Sequence, residues 1–550
     1  MSTARICIAG LGFAVCVLAQ APRSPYAAVS GIVLNNATGA PLPRAVVTLS
    51  TLDDPPLEAV TFSESNGAFG FTAIPPGRYQ LRVEMDGFQR AWFGASTPDR
   101  PHGTLNLAAG VYRYGITFRL RPLGSISGMV MDQDGDPVPA EIRLLKATWE
   151  RMKPAYRNEG WAHADASGRY HFDDVVPGQY IVMAHPSYMT FVTQSTITAG
   201  QPETEKMYAA QFYADSSSLS GATPVQLDPG KHLEDIDFHL MMRAVAPLDG
   251  RVVLPADVST KAFAMVRVFS QDVPDDMSQS EGAGAGPPNF NFEISNTTVG
   301  AYVITASTTV DGREYQDAER IDLPPGGEQL ALNLRPAIDL AGRVDLEGAL
   351  AGLEHPFRVT LFPVGFPPGR QRREAEMKPD GSFVAHNVSP GIWDIGVEPI
   401  PPGGYLKSMR LGDQDVLTED MTIDGDTHAP LRIVVSTRGA VVSGTVTVPK
   451  GAALSPRASV LLAPSGRYAQ VWSFYKVGTA DDSGHFEFKG VTPGRYQLFA
   501  FEEMDPEAFE DPGFLEPFEK LSPVFDVPEG GDVDRKTQLI PAASQGAARN

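Results

Sequence analysis

Gly67-Ala68-Phe69-Gly70-Phe71-Thr72-Ala73-Ile74-Pro75-Pro76-Gly77-Arg78-Tyr79-Gln80-Leu81-Arg82-Val83 holds the pattern that decides the fold. Phe69 and Phe71 sit at alternate positions, which turns both rings to one side of a strand. Pro76-Gly77 marks a turn. From Tyr79 the alternation resumes through Leu81 and Val83, the mark of a second half-buried strand.

The same pattern returns along the chain. Gly-x-aromatic occurs at Gly77 to Tyr79, Gly178 to Tyr180, Gly300 to Tyr302, Gly391 to Trp393 and Gly494 to Tyr496. A Gly-x-Phe or Gly-x-Tyr element starts ten residues earlier in four of these copies, at Gly67, Gly168, Gly381 and Gly484. An opening Gly-x-Val stands at Gly31, Gly128, Gly250, Gly342 and Gly444, between 46 and 50 residues before the Gly-x-aromatic element. The copy at Gly250 lacks the middle glycine and has Asn289-Phe290-Asn291-Phe292 instead, so its assignment rests on the two outer motifs.

Together these elements resemble the carboxypeptidase regulatory-like domain family, whose pattern runs G-x-V, then P-hyd-x-x-A-x-V, then D-x-x-G-x-F-x-F, then P-G-x-Y. The resemblance implies a transthyretin-like, seven-stranded β-sandwich. Short strands, frequent turn signals and almost no helical periodicity point independently to an all-β chain. The expectation is a tandem array of about five immunoglobulin-like or transthyretin-like β-sandwiches: 22–121, 122–243, a divergent 244–336, 337–439 and 440–541, ending in a disordered 542–550. Short linkers predict a semi-rigid rod. The acidic stretch Glu502 to Lys520 is expected to hold one short helix or an ordered loop.

Arg5, an apolar run from Ile6 to Leu18 and Ala19-Gln20-Ala21 follow the order of a secretory signal peptide over 1–21. Cys16 raises lipid attachment, but Val15 precedes it where a lipobox wants a small residue. Both cysteines, Cys7 and Cys16, fall in this segment, which leaves the mature chain without disulfide, thiol nucleophile or cysteine-bound zinc. The expected location is periplasmic or extracellular, with no transmembrane segment in the mature chain. A formal net charge of -21 with no basic stripe argues against nucleic acid.

Catalytic motifs are missing. The resemblance invites a peptidase reading, yet no histidine has Glu three residues on, and H-E-x-x-H is absent. The family's regulatory domain is an appendage to a catalytic domain, and only the appendage repeats here. His163, His171 and His185 share one module and raise a metal site. His171, between Tyr170 and Phe172, points away from the aromatic face, and exposed strand histidine is the plainer reading. Gly124-Ser125-Ile126-Ser127-Gly128 fails as a nucleophile elbow because its third residue is Ile126. Asp132-Gln133-Asp134-Gly135-Asp136 starts like a calcium loop, but Arg143 occupies the place of the twelfth-position Glu. No catalytic, cofactor or metal residue is therefore assigned.

Aromatic residues outside the repeat remain: Trp149, Trp161, Tyr468, Trp472 and Tyr475. They are candidates to contact a glycan or protein partner, and packing into a core or module junction is the competing reading. The leading function is a secreted, non-catalytic scaffold or binding protein with an envelope protein or polysaccharide as partner. The alternatives are a carbohydrate-binding array of the cell envelope and a peptidase accessory protein. Pilin-like Lys–Asn crosslinking is excluded for 27–121, which contains no lysine.

Overall fold

A computed structural model describes residues 25–54, 56–94, 103–186, 206–256, 258, 262–273, 281–348, 357–448, 458–481, 483–502, 504 and 508–541. The expected signal segment 1–21, both cysteines and the tail 542–550 lie outside the described residues. The chain divides into two compact units, 1–121 and 122–550.

In the first unit the opening strand, Ala27–Asn35, pairs antiparallel with Ala68–Ile74 and parallel with Tyr112–Leu120. A second sheet places Val46–Thr51 between Glu58–Phe62 and Gly77–Glu84. The inward positions of both sheets, among them Val29, Val33, Leu49, Phe69, Phe71, Tyr79 and Leu81, form one buried core. This is a β-sandwich, with the alternation that two packed sheets require.

Residues 122–550 repeat the layout. Gly124–Asp132 pairs with Arg169–Val175, and Met242–Val253 with Asn291–Thr298. Ile338–Glu347 pairs with Ser382–Val388, and Ala440–Thr447 with His485–Val491. Each opening strand also takes a closing strand in parallel, as Tyr112–Leu120 does in the first unit. In the C-terminal sandwich Asp532–Ile540 reaches Gly494–Phe501 as well and joins the two sheets into one of seven strands. Glu502 to Lys520 contributes short 3-10 turns at Ala508–Glu510 and Glu516–Leu521. Phe514 and Phe518 from this stretch pack with Phe499 and Phe501 into a small second core.

The repeat residues have physical causes. A Cβ on the opening glycine would meet the closing strand's carbonyl oxygen and the ring of the Gly-x-Phe element. At Gly31 these lie 2.2 Å away at Ile116 and 2.6 Å away at Phe69. At Gly342 the Phe383 ring lies 2.1 Å away, and at Gly444 the Arg535 carbonyl lies 1.6 Å away. The middle glycines, Gly67, Gly168, Gly381 and Gly484, all have φ between 78° and 86°, the left-handed region that favours glycine. Their carbonyls accept hydrogen bonds from Val33, Val130, Val344 and Val446 of the opening strands.

The third copy has this element after all. Phe290 stands where the others have glycine, ten residues before Gly300. Its φ is 56°, and its carbonyl accepts from the Val252 N–H at 2.9 Å. Phe292 then lies against Gly250 as Phe69 does against Gly31.

The aromatic residue of Gly-x-aromatic is buried in four copies and half-buried in the third, and bonds to the residue four before it in every copy. Tyr79, Tyr180 and Tyr496 donate their hydroxyls to the carbonyls of Pro75, Val176 and Thr492 at 2.9, 2.6 and 2.8 Å. Trp393 donates its indole N–H to the Ser389 carbonyl at 2.9 Å. Tyr302 meets the Thr298 hydroxyl at 2.9 Å. A large ring with one polar donor is what a tyrosine corner needs, so Tyr and Trp both serve and Phe is unsuited.

Candidate functional site

The second sandwich carries a long hairpin, Ala140–Glu150 with Lys153–His163, on the edge of its sheet. Its two-residue tip is Arg151-Met152, with φ of 51° and 66°. Such a turn ordinarily uses Asn-Gly, because both central residues need positive φ. Two non-glycine residues there mark strain that the surroundings must hold.

The surroundings belong to other modules. The Arg151 guanidinium lies over the Phe362 ring at 3.3 Å and the Trp472 ring at 4.6 Å. Its Nη1 donates to Asp394 Oδ2 at 2.9 Å, and its backbone N–H donates to the Glu510 carboxylate. Lys153, beside it, pairs with Asp420 at 2.6 Å. One turn of the second sandwich is thereby gripped by the fourth and the fifth. Neighbouring modules of 122–550 are joined too. Val471 and Phe474 of the fifth complete the buried core of the fourth. Arg320 of the third lies over Phe366 of the fourth at 4.2 Å, and Arg373 pairs with Glu314. Val273 of the third closes a cluster with Leu145, Ile181, Met183 and Phe212 of the second. These four sandwiches therefore depart from the expected rod, in which each module meets only its sequence neighbours.

The five aromatic candidates divide accordingly. Trp472 is half-buried beneath Arg151. Tyr468 packs against the fourth module's core, with its ring 5.0 Å from Phe474. Tyr475 stacks on Phe509 at 4.9 Å and donates to the Ala469 carbonyl, and burial pushes its hydroxyl up to about 12. Trp149 is half-buried near the hairpin tip, opposite Pro154. Trp161 is 65% exposed on the hairpin's outer strand, edge-on to His163 at 5.3 Å.

The three histidines do not converge: His163 and His185 stand on either side of Glu141 on neighbouring strands. His171 lies on the other sheet, exposed, beside Asp173 at 2.7 Å. His185 meets the Pro186 carbonyl through Nδ1 at 3.0 Å, and burial lowers its pKa. Among the described residues no group of three or more His, Cys, Asp or Glu is placed to hold a metal ion. No described helix is long and apolar enough to cross a membrane.

The sequence reading missed two residues of the first unit. Tyr112 and Tyr114 are 52% and 70% exposed, with parallel rings (5° between planes) whose centres are 6.0 Å apart. Counted back from buried Ile116, strict alternation places both in the core. A bulge prevents this. Arg113 pairs with Val29 but Ile116 pairs with Gly31, so the closing strand carries one extra residue. Gly115, at φ 76°, absorbs it and turns the tyrosines outward. The glycine between Tyr114 and Ile116 was the available signal.

Residues 28–109 match the family model of the carboxypeptidase regulatory-like domain. The first sandwich is similar to that domain over most of its length. No curated protein matches the chain. Solved structures similar to it include a streptococcal ancillary pilin, at 12% identity and a TM-score of 0.20, covering 56% of this chain and 98% of that one. The GBS52 minor pilin of Streptococcus agalactiae has 12% identity and a TM-score of 0.20, covering 39% of this chain and 94% of its own. The shaft pilin SpaA of Lactobacillus rhamnosus GG has 10% identity and a TM-score of 0.19, covering 40% and 97%. TM-scores this low transfer neither an arrangement of modules nor a role. The matched segment ends just before the strand that bears Tyr112 and Tyr114.

Proposed function

We propose that this protein is an exported, non-catalytic scaffold in which residues 122–550 act as one braced body. The seat of Arg151 carries the reading. A strained turn is held in place by two aromatic rings and two carboxylates from modules far along the chain, an arrangement that fixes geometry and offers no reacting group. Trp472 and Tyr468, two of the aromatic side chains outside the repeat, serve the same end. Export rests on the N-terminal sequence pattern, and an envelope protein or polysaccharide is the partner such a scaffold would present itself to.

Small-angle scattering and limited proteolysis of the chain from Pro22 onward test the bracing. Arg151→Ala removes stacking on two rings and leaves Asp394 without its partner, a loss of about 2–3 kcal/mol at the junction. The expected result is a larger radius of gyration and faster cleavage in the 466–475 segment. Arg151→Lys keeps the charge but not the flat stacked group, and should fall between. Unchanged scattering and cleavage in both variants would show that the modules are not braced there. Turnover of a peptide or glycan by the purified chain, abolished by one point substitution, would overturn the non-catalytic half.

A further inference from the structure

We propose that Tyr112 and Tyr114 form a carbohydrate-stacking site on the first module, taking the flat C–H face of a pyranose in a polysaccharide chain. The site is independent of the bracing of 122–550, and either can fail without the other.

The two rings are presented by design of the backbone. Eight of the fifteen large apolar side chains exposed among the described residues lie in the first unit, so exposure is concentrated there. The second sandwich supplies an internal control. Its closing strand has the same one-residue excess: Leu233 pairs with Ile126, and the next inward contact is the Ile236 N–H on the Ser127 carbonyl. Asp235, at φ 62°, takes the part of Gly115. The positions matching Tyr112 and Tyr114 are His232 and Glu234. The bulge is thus shared by the first two sandwiches and missing from the third and fifth, whose closing strands pair in unbroken register, while the paired aromatic rings belong to the first module alone. Exposed rings forgo about 25 cal/mol for each Å² of apolar surface left in water, a loss that a ligand covering them would recover.

The surroundings fit a sugar chain. Beside the tyrosines, the outward positions of the adjoining strands are small: Ala28 and Ser30 on the opening strand, and Gly70 opposite Ser30. Exposed Arg119 lies on the same face farther along the strand. Flat rings, a low shelf and a guanidinium match the C–H face and hydroxyl rim of a pyranose. Charge agrees. Residues 22–121 hold nine arginines, no lysine and seven acids, a net +2, whereas residues 122–550 hold 35 bases against 59 acids, a net -24. The first module is the part of the chain that a neutral or anionic polymer approaches without repulsion.

Affinity electrophoresis and pull-down of the chain from Pro22 onward, against cellulose, chitin, xylan, β-1,3-glucan and peptidoglycan, test the site. The expected result is retardation by at least one of these polymers. Tyr112→Ala and Tyr114→Ala should each weaken it about tenfold, and Tyr114→Trp should retain it, since stacking tolerates any flat ring. Both side chains are exposed, so thermal unfolding of the alanine variants should match the parent, which separates lost binding from lost folding. Failure of every polymer to bind overturns the proposal. So does binding that survives the double alanine variant, or that is lost only in Trp161→Ala. Capture of an extended peptide along this strand edge, in the absence of glycan binding, would reassign the surface to a protein partner.

Discussion

The first sandwich and residues 122–550 use one architecture for two ends. Both close a core with the opening glycine, the left-handed turn and the corner tyrosine. They differ in what they do with aromatic side chains that the core does not need. In 122–550 several such residues are drawn into junctions: Trp472 under Arg151, Phe474 into the fourth module's core, Phe366 under Arg320. In the first unit Tyr112, Tyr114 and Phe62 face water. When a fold recurs within one chain, the surplus over its common needs separates residues that hold modules together from residues left for something else.

The largest test of this contrast places the same packing fault in each region. Gly31→Ala puts a methyl 2.2 Å from the Ile116 carbonyl, and Gly444→Ala puts one 1.6 Å from the Arg535 carbonyl. Neither carbonyl can move without breaking the parallel ladder, so each change should destabilise its own sandwich by about 3 kcal/mol. The consequences should differ in reach. Calorimetry should show Gly31→Ala lowering only the transition of the first sandwich. Gly444→Ala should pull down the cooperative transition of 122–550, because the fourth module's core includes Val471 and Phe474 of the fifth. A purely local effect of Gly444→Ala would erase the distinction between a braced body and a string.

A smaller test uses the corner hydroxyls. The Tyr496 bond to Thr492 is buried, whereas the Tyr79 bond to Pro75 is only partly so. Tyr496→Phe leaves a buried carbonyl unpaired and should destabilise by about 1–2 kcal/mol. Tyr79→Phe lets water reach the carbonyl and should stay below about 1 kcal/mol. Urea unfolding followed separately for each unit would measure both. Equal losses would mean that the two corners are equally dry.

Much of this fold was legible in the sequence because its markers have backbone causes. A glycine against a carbonyl, or one at positive φ, has few substitutes, so the spacing persists where side chains drift. The third copy's middle element escaped notice because Phe290 adopts the conformation reserved elsewhere for glycine, and residue identity alone does not announce φ. Tyr112 and Tyr114 escaped because alternation counted back from Ile116 would bury both, and the bulge that turns them outward shows in the sequence only as Gly115. The seat of Arg151 was beyond any local reading, since its partners Phe362 and Trp472 lie hundreds of residues away. The aromatic candidates were chosen for lying outside the repeat. That criterion finds surplus rings but does not tell a junction from a free surface, a distinction that only packing makes.

The smallest effect concerns acid. At the hairpin before Gly-x-Phe, 122–550 uses carboxylates to hold the turn. Asp165 accepts from the Ser167 hydroxyl and the Ser167 and Arg169 N–H groups, and Asp481 does the same with Ser483 and His485. Asp380 accepts from the hydroxyl and N–H of Ser382. These bonds, led by the serine hydroxyls, hold all three acids below the ordinary value of 3.8. The first sandwich uses Asn66, whose Oδ1 accepts from the Ala68 N–H and does not titrate. A depressed folded pKa contributes stability that is fully present above the unfolded value and lost as pH falls through the folded one. Between pH 5 and pH 2 the hairpins of 122–550 should therefore loosen while that of the first sandwich holds, and amide exchange at Ser167, Ser382 and Ser483 should rise relative to Ala68. All three carboxylates are solvent-exposed, so the change is modest. Replacing Asp165, Asp380 and Asp481 by Asn should make the two regions respond alike at this turn. If exchange at Ala68 rises equally in the parent chain, the acid response comes from elsewhere in the sandwich and the carboxylates are not its source.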